Sequence, residues 1–183
     1  GFALTLNCET DFVAKNDGFR DFVQSLLNIA IANKANSAEE LKTMKYDDRL
    51  TVDEKITEQI GVIGEKLDLS GYAKIEADKV VAYNHPGNQL ATLVALNSGS
   101  NEAEEAGRQV AMQVAAMNPI ALNKDGVDAR TIEREIEVGK ELAIQEGKPA
   151  EMADKIAQGR LAKFFKENTL LSQQFVRDNK LTV

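Results

Sequence analysis

The sequence predicts an α+β fold of two related half-domains, each a small antiparallel sheet flanked by helices, with a projecting antiparallel helical hairpin (a coiled coil). Three observations predict it. Period-2 alternation at 2–8 and 67–77, and two short strands at 80–83 and 89–96 on either side of a turn-rich segment, are interspersed with runs whose apolar residues recur at three and four. A strand–corner–helix unit occurs twice, as 2–7 followed by 18–32 and as 90–97 followed by 102–117; both strands end at Asn and both helices end near Asn. A charged helical stretch, 128–166, is broken at Gly147-Lys148-Pro149, a tight link between two helices. The first half-domain is expected over 1–77 and the second over 78–183, the second carrying the hairpin 128–166.

The first strand rests on Phe2, Leu4, Leu6 and Cys8, which alternate with smaller or polar residues. After Gly18, Phe19, Phe22, Val23, Leu26, Leu27, Ala30 and Ile31 give a helix one apolar face. The corner 10–16 lies between them. Thr10 or Asp11 suits the cap of a single short turn, and Asn16-Asp17-Gly18 breaks that turn before the long helix. Phe12 sits on this turn, where it points either into the core or out at a partner. Ser37-Ala38-Glu39-Glu40 and Thr51-Val52-Asp53-Glu54 both read as capping boxes. The first opens a short helix to about Met44. The second opens a helix with Val52, Ile56, Gln59, Ile60 and Ile63 on one side, ending near Gly64. The strand 67–77 is interrupted at Gly71.

Asn84-His85-Pro86-Gly87-Asn88 is rich in turn formers and joins 80–83 to 89–96 as a hairpin. The polar loop 97–101 leads to the helix 102–117, which Asn118-Pro119 stops. Within 128–166, Gly147 suits a helix C-cap and Pro149 a first helical position. Antiparallel pairing sets Gly139 opposite Ile156 and Gly159 opposite Ile136. A mid-helix glycine costs about 1 kcal/mol, so two of them facing isoleucines suggest knob-and-hole packing. A narrow seam, Ile132, Ile136 and Ala143 against Met152 and Ile156, favours a protruding arm.

Composition narrows the function. With 43% hydrophobic residues the chain can bury a core, and its 183 residues suit one large or two small domains. Asp and Glu outnumber Lys and Arg, 29 to 22, for a formal charge of −7. That disfavours nucleic acid as the main partner, since phosphate binding needs basic excess, and disfavours an anionic membrane surface. No apolar run reaches the roughly eighteen residues that span a bilayer. A single Cys excludes an internal disulfide and suits a reducing compartment. Gly1 opens inside an apparent strand pattern and Leu181-Thr182-Val183 stops at the onset of another element, so an excised piece of a longer chain is expected.

No catalytic or metal-binding set stands out. Gly61-Val62-Ile63-Gly64-Glu65-Lys66 lacks the phosphate-loop spacing, and no Ser or Thr follows Lys66. One His and one Cys build none of the usual zinc sites. A Cys8–His85 nucleophile pair is formally available. Cys8, however, falls in phase with the apolar face of its strand, as a buried thiol would. The carboxylates spread over helix faces, and no acid–base pair can be singled out.

The run Asn7-Cys8-Glu9-Thr10-Asp11-Phe12-Val13-Ala14-Lys15 closely resembles the signature of the elongation factor Ts family, guanine-nucleotide exchange factors for elongation factor Tu. Ile63-Gly64-Glu65, Tyr83-Asn84-His85 and Gly147-Lys148-Pro149 with Gly159-Arg160 match it further, in order. The resemblance implies the family's central two-subdomain core, without its N-terminal helical module and the extreme C-terminal strand. Each half-sheet would then hold two of the family's three strands.

The resemblance also implies a binding function with no catalytic residue, no metal and no cofactor. Phe12 is implied to be a wedge that enters between helices of the partner's G domain, near its magnesium site. Asp11 would fix the approach, with Thr10 and Val13 in the same contact. Ile63 and Gly64 match a patch laid on another G-domain helix, and His85 a contact of the second subdomain. Here the sequence departs from the family's usual glycine- and arginine-bearing continuation after that histidine, with Pro86-Gly87-Asn88-Gln89 in its place. The implied partner is elongation factor Tu, GDP-bound and nucleotide-free, with homodimerisation through the second subdomain and no direct nucleic acid or membrane. The setting is a bacterial cytoplasm or an organelle. A structural or oligomerisation module acting through the hairpin is the rival reading; a hydrolase built on Cys8 and His85 is a second.

Overall fold

Strand β1 (Phe2–Asn7) pairs antiparallel with β2 (Asp68–Lys74), and the helix between them in sequence that buries most is the one after the corner. A computed structural model describes residues 1–183, which form two compact units, Gly1–Ala111 and Met112–Val183. Seven α-helices and three two-stranded antiparallel sheets make a mixed α and β architecture.

In the first unit the corner holds a single short helix, α1 (Asp11–Lys15), followed by α2 (Asp17–Asn33). Asn16 ends the one and caps the other: its backbone N–H donates to Val13 O, and its side-chain oxygen accepts from Phe19 N at 3.2 Å. α2 turns Phe19, Phe22, Leu26 and Ala30 inward against Leu6, Leu67 and Leu69 of the first sheet region. α3 (Ala38–Thr43) and α4 (Val52–Ile63) close this core with Leu41, Val52 and Ile56. The capping box at Thr51 and Glu54 is complete. At Ser37 it is not: Ser37 caps Glu40 N, but the Glu40 carboxylate turns to the backbone N–H and side-chain amide of Asn36. The interruption expected at Gly71 is a bulge. Thr5 pairs with Gly71 and Leu6 with Leu69, leaving Ser70 over, and a Cβ on Gly71 would lie 3.1 Å from Thr5 Oγ1.

β3 (Lys79–Asn84) and β4 (Ala91–Leu96) form the expected hairpin, and α5 (Asn101–Met117) packs on it through Gly107. A Cβ there would lie 2.7 Å from Leu96 Cδ1 and 2.9 Å from Val81 Cγ2, so the close approach requires glycine. Thr92 Oγ1, buried on β4, donates to Ala111 O at 2.9 Å.

In the second unit α6 (Ala129–Gln145) and α7 (Ala150–Asn168) pack side by side after the turn at Gly147, whose φ of +74° needs glycine. Pro149 stands at the N-cap and not at the first helical position. The predicted pairing is corrected here. Gly139 faces Ala157, whose Cα lies 3.1 Å from a hypothetical Cβ, and Gly159 meets nothing within 4 Å. The seam is made of small residues at four-residue spacing, Gly139 and Ala143 against Ala153 and Ala157, with Leu161 at its end. Small side chains let the backbones approach, which moves the isoleucines to half-buried flanks and leaves Met152 48% exposed. A third sheet, β5 (Gln174–Phe175) with β6 (Asp178–Thr182), was not expected. It is tied to the end of α5 by Gln113, buried, which donates to Gln173 Oε1 and Gln174 O and accepts from Val176 N.

Candidate functional site

The corner and the end of α4 meet in a clasp made by two glutamates. Thr10 is the N-cap of α1, with its hydroxyl accepting from Val13 N at 3.4 Å. The Glu65 carboxylate, just past α4, accepts the backbone N–H groups of Glu9 and Thr10, each at 3.0 Å, on one oxygen. Its other oxygen takes the Thr10 hydroxyl at 2.5 Å. In return the Glu9 carboxylate accepts from Lys66 N at 3.2 Å. Gly64 makes the sharp exit possible, closing α4 with φ +80°. The Thr10 hydroxyl, followed by the two backbone N–H groups, holds the Glu65 carboxyl below the ordinary glutamate range. The structure therefore joins Thr10 to the Ile63 and Gly64 edge. Glu9 and Glu65 went unrecognised as the joint because they lie more than fifty residues apart in sequence.

Phe12 is 90% exposed, the most exposed of the large apolar side chains. Of the two orientations open to it at the corner, the structure takes the outward one. Asp11 beside it makes a surface ion pair with Lys15 at 3.3 Å, one helical turn on. Val13 turns the other way and packs against the core cluster, seating the short helix. Val62, next to Ile63, is 73% exposed and adds an apolar side chain to this edge that the sequence reading left out.

His85 is exposed in the β3–β4 turn. Its Nδ1 lies 2.9 Å from the Tyr83 hydroxyl, with the rings edge to face. The backbone closes from His85 N to Leu90 O at 2.8 Å and from Asn88 N to His85 O at 2.9 Å. Gly87 and Asn88 take positive φ, +100° and +58°, which the Pro-Gly-Asn run supplies. A groove of about 580 Å³ runs within this unit between β1, the outer side of α2 and the β3–β4 hairpin, bordered by Thr10 and Asp11 at one side and by Asn84 and Asn88 at the other. Cys8 is half-buried at the end of β1, where its thiol donates to Thr10 O at 3.4 Å. Burial, and then the Glu65 charge, push that thiol up. Cys8 and His85 are thus each engaged with other partners and share no hydrogen bond.

The site consists of an outward aromatic on a clamped short helix, an exposed apolar edge and a hydrogen-bonded turn. The family model described as Elongation factor TS matches residues 9–183. The Elongation factor Ts of Amoebophilus asiaticus is 53% identical over 184 residues, covering all of this chain and 66% of that relative. That of Christiangramia forsetii is 50% identical, with the same coverage. The Elongation factor Ts of Chlorobaculum tepidum is 39% identical over 189 residues, again across the whole chain and 66% of its own length. The chain thus spans slightly less than two thirds of these relatives, and it belongs to the elongation factor Ts family.

Proposed function

We propose that this chain is a translation elongation factor that promotes release of GDP from elongation factor Tu, by binding and without covalent chemistry. The observation that carries the reading is Phe12, 90% exposed on a helix whose start is clamped from outside. A large apolar side chain held in water costs free energy that a partner pocket returns. Exchange then follows from linkage. A factor that grips the nucleotide-free partner more tightly weakens GDP by the same coupling energy. Phe12 would act as the wedge near the partner's magnesium site. Asp11, released from Lys15, would fix the approach through a charged hydrogen bond. Thr10 and Val13 hold the turn in shape at the contact, Ile63 and Gly64 extend it along the end of α4, and His85 makes a second, separate contact.

Several finer features belong to the same reading. A functional division falls at 77/78, with the first part meeting the G domain. The α6–α7 pair forms a coiled-coil arm, self-association uses the second part, and the setting is a bacterial cytoplasm. The direct test is release of a fluorescent GDP from elongation factor Tu at several concentrations of this chain. Phe12→Ala should weaken the productive complex by about 2–4 kcal/mol, or roughly 30- to 1,000-fold. Asp11→Ala should cost less. Unimpaired exchange by folded Phe12→Ala protein would refute the wedge.

A further inference from the structure

We propose that Glu65 is a positioning residue for the Phe12 contact: it holds the α1 turn in the pose that a partner meets and fixes that pose to the edge carrying Ile63 and Gly64. The proposal rests on the exchange reading above. Its starting point is that α1 cannot hold itself. It has five residues, none of them buried, and a helix far shorter than about 12–15 residues is unstable alone in water. Phe12 contributes no packing in the free protein, and Val13 is the one residue of the turn near Phe12 that leans on the core cluster.

What remains is the hydrogen bonding at the two ends. The far end is continuous with α2: Asn16 N donates to Val13 O at 3.0 Å and Arg20 Nε to Ala14 O at 3.3 Å. The near end is held from a different element. Glu65 collects two backbone N–H groups and one hydroxyl from Glu9 and Thr10, at 3.0, 3.0 and 2.5 Å. Such bonds to an ionised carboxylate are about twice as strong as neutral ones. The same Thr10 hydroxyl is also the cap that accepts from Val13 N, so Glu65 orients the group that starts the helix.

Without this clasp, a partner would have to order the turn as it binds, and the ordering cost would appear in affinity. The expected signature is therefore a weaker grip with an unchanged limiting rate. Two variants separate geometry from charge. Glu65→Ala removes the clasp. Glu65→Gln keeps an oxygen for the two backbone N–H groups, and its amide can donate to the Thr10 hydroxyl, so the shape is retained.

The experiment uses the whole 183-residue chain and has two arms. In the first, backbone relaxation is measured without any partner. Glu65→Ala should drop the order parameters of Asp11–Lys15 from about 0.85 to below about 0.6 while β1 and β2 stay rigid, and Glu65→Gln should keep them high. In the second, fluorescent GDP release from elongation factor Tu is titrated. Glu65→Ala should raise the half-saturating concentration about tenfold with the plateau rate retained, as expected of a lost preorganisation. Glu65→Gln should stay near wild type. In a Phe12→Ala background the further effect of Glu65→Ala should vanish. A rigid α1 in Glu65→Ala overturns the proposal, as does a penalty undiminished by Phe12→Ala. If Glu65→Ala does not fold, Glu65→Asp, one methylene shorter, takes its place in both arms. A wild-type chain that releases no GDP would sink the exchange reading, while the relaxation arm would still decide whether Glu65 positions α1.

Discussion

The molecule turns the same corner twice, once after β1 and once after β4, and the two corners have different outcomes. Both join a strand to a long amphipathic helix that packs back on its own sheet. After β4 the chain needs only a short polar loop, in which Ser98 Oγ accepts from Ser100 N and Ser100 Oγ accepts from Ala103 N. This corner is held by its own residues and shows no large apolar side chain. After β1, the five residues of α1 are inserted, Phe12 stands out in water, and the turn is held by a carboxylate from the end of α4. A loop that only connects can be closed locally. A loop that presents an aromatic loses the burial that would have anchored it, and its order has to come from elsewhere in the fold.

Stability measurements can break this comparison. The largest effect should come from the helix behind the first corner. Leu26 is fully buried, and Leu26→Ala should cost about 2–5 kcal/mol in denaturant unfolding. A loss below about 1 kcal/mol would mean that α2 is not the keystone of the first core. Next comes the helix behind the second corner. Gly107→Leu drives a side chain into Leu96 and Val81, at 2.7 and 2.9 Å from the Cβ position. Overpacking of this kind costs about 1–3 kcal/mol. If Gly107→Leu is neutral, α5 sits more loosely on its hairpin than α2 does on its sheet, and the likeness of the two corners is only one of sequence.

A smaller effect is expected from pH. Folding lowers the Glu65 carboxyl below its ordinary value, about 4.3 in the unfolded chain. Near that pH the folded protein binds fewer protons than the unfolded chain, so the clasp contributes fully above the ordinary value and is lost as pH falls through the lower, folded one. Glu40, Asp47, Glu54, Glu102 and Glu104 are lowered too and also feed the acid limb. The comparison of wild type with Glu65→Gln therefore isolates the clasp. The gap in melting temperature between them should be constant from pH 7 to about 5 and narrow below about 4. A gap that widens on acidification would contradict the assigned hydrogen bonds.

The sequence made most of the first unit legible because its signals are local. Thr51 with Glu54, the break at Asn16, the alternation of 2–8 and the Pro-Gly-Asn turn each act within a few residues, and each appears where expected. The position of Phe12 at the corner was equally readable, though its outward direction needed the structure or the resemblance. Other features are long-range. Glu65 looks like one more surface carboxylate until α4 brings it to Thr10. Gly159 looks like a packing hole until the seam is seen to run through Ala153 and Ala157, leaving that glycine over solvent. The β5–β6 hairpin escaped because β6 is exposed along its whole length, so its residues carry no alternation to read.

The smallest effect on stability is expected at the most conspicuous residue. Phe12 is 90% exposed and seals no part of the core cluster. Truncating a buried Phe to Ala costs about 3–5 kcal/mol, because transfer free energy is lost and a cavity is left behind. Neither term exists for a side chain already in water. The remaining contributions are small and partly opposed: alanine is the better helix former, by at most about 0.7 kcal/mol, while any glancing contact of the ring with its own turn is lost. Phe12→Ala should therefore unfold within about 0.5 kcal/mol of wild type, the ordinary range for surface substitutions away from special features. The measurement is a denaturant midpoint at constant slope. An unchanged midpoint together with weakened nucleotide exchange would assign Phe12 to recognition alone. A midpoint shift that, multiplied by the slope, amounts to several kcal/mol would return the ring to the interior and make the first corner as self-contained as the second.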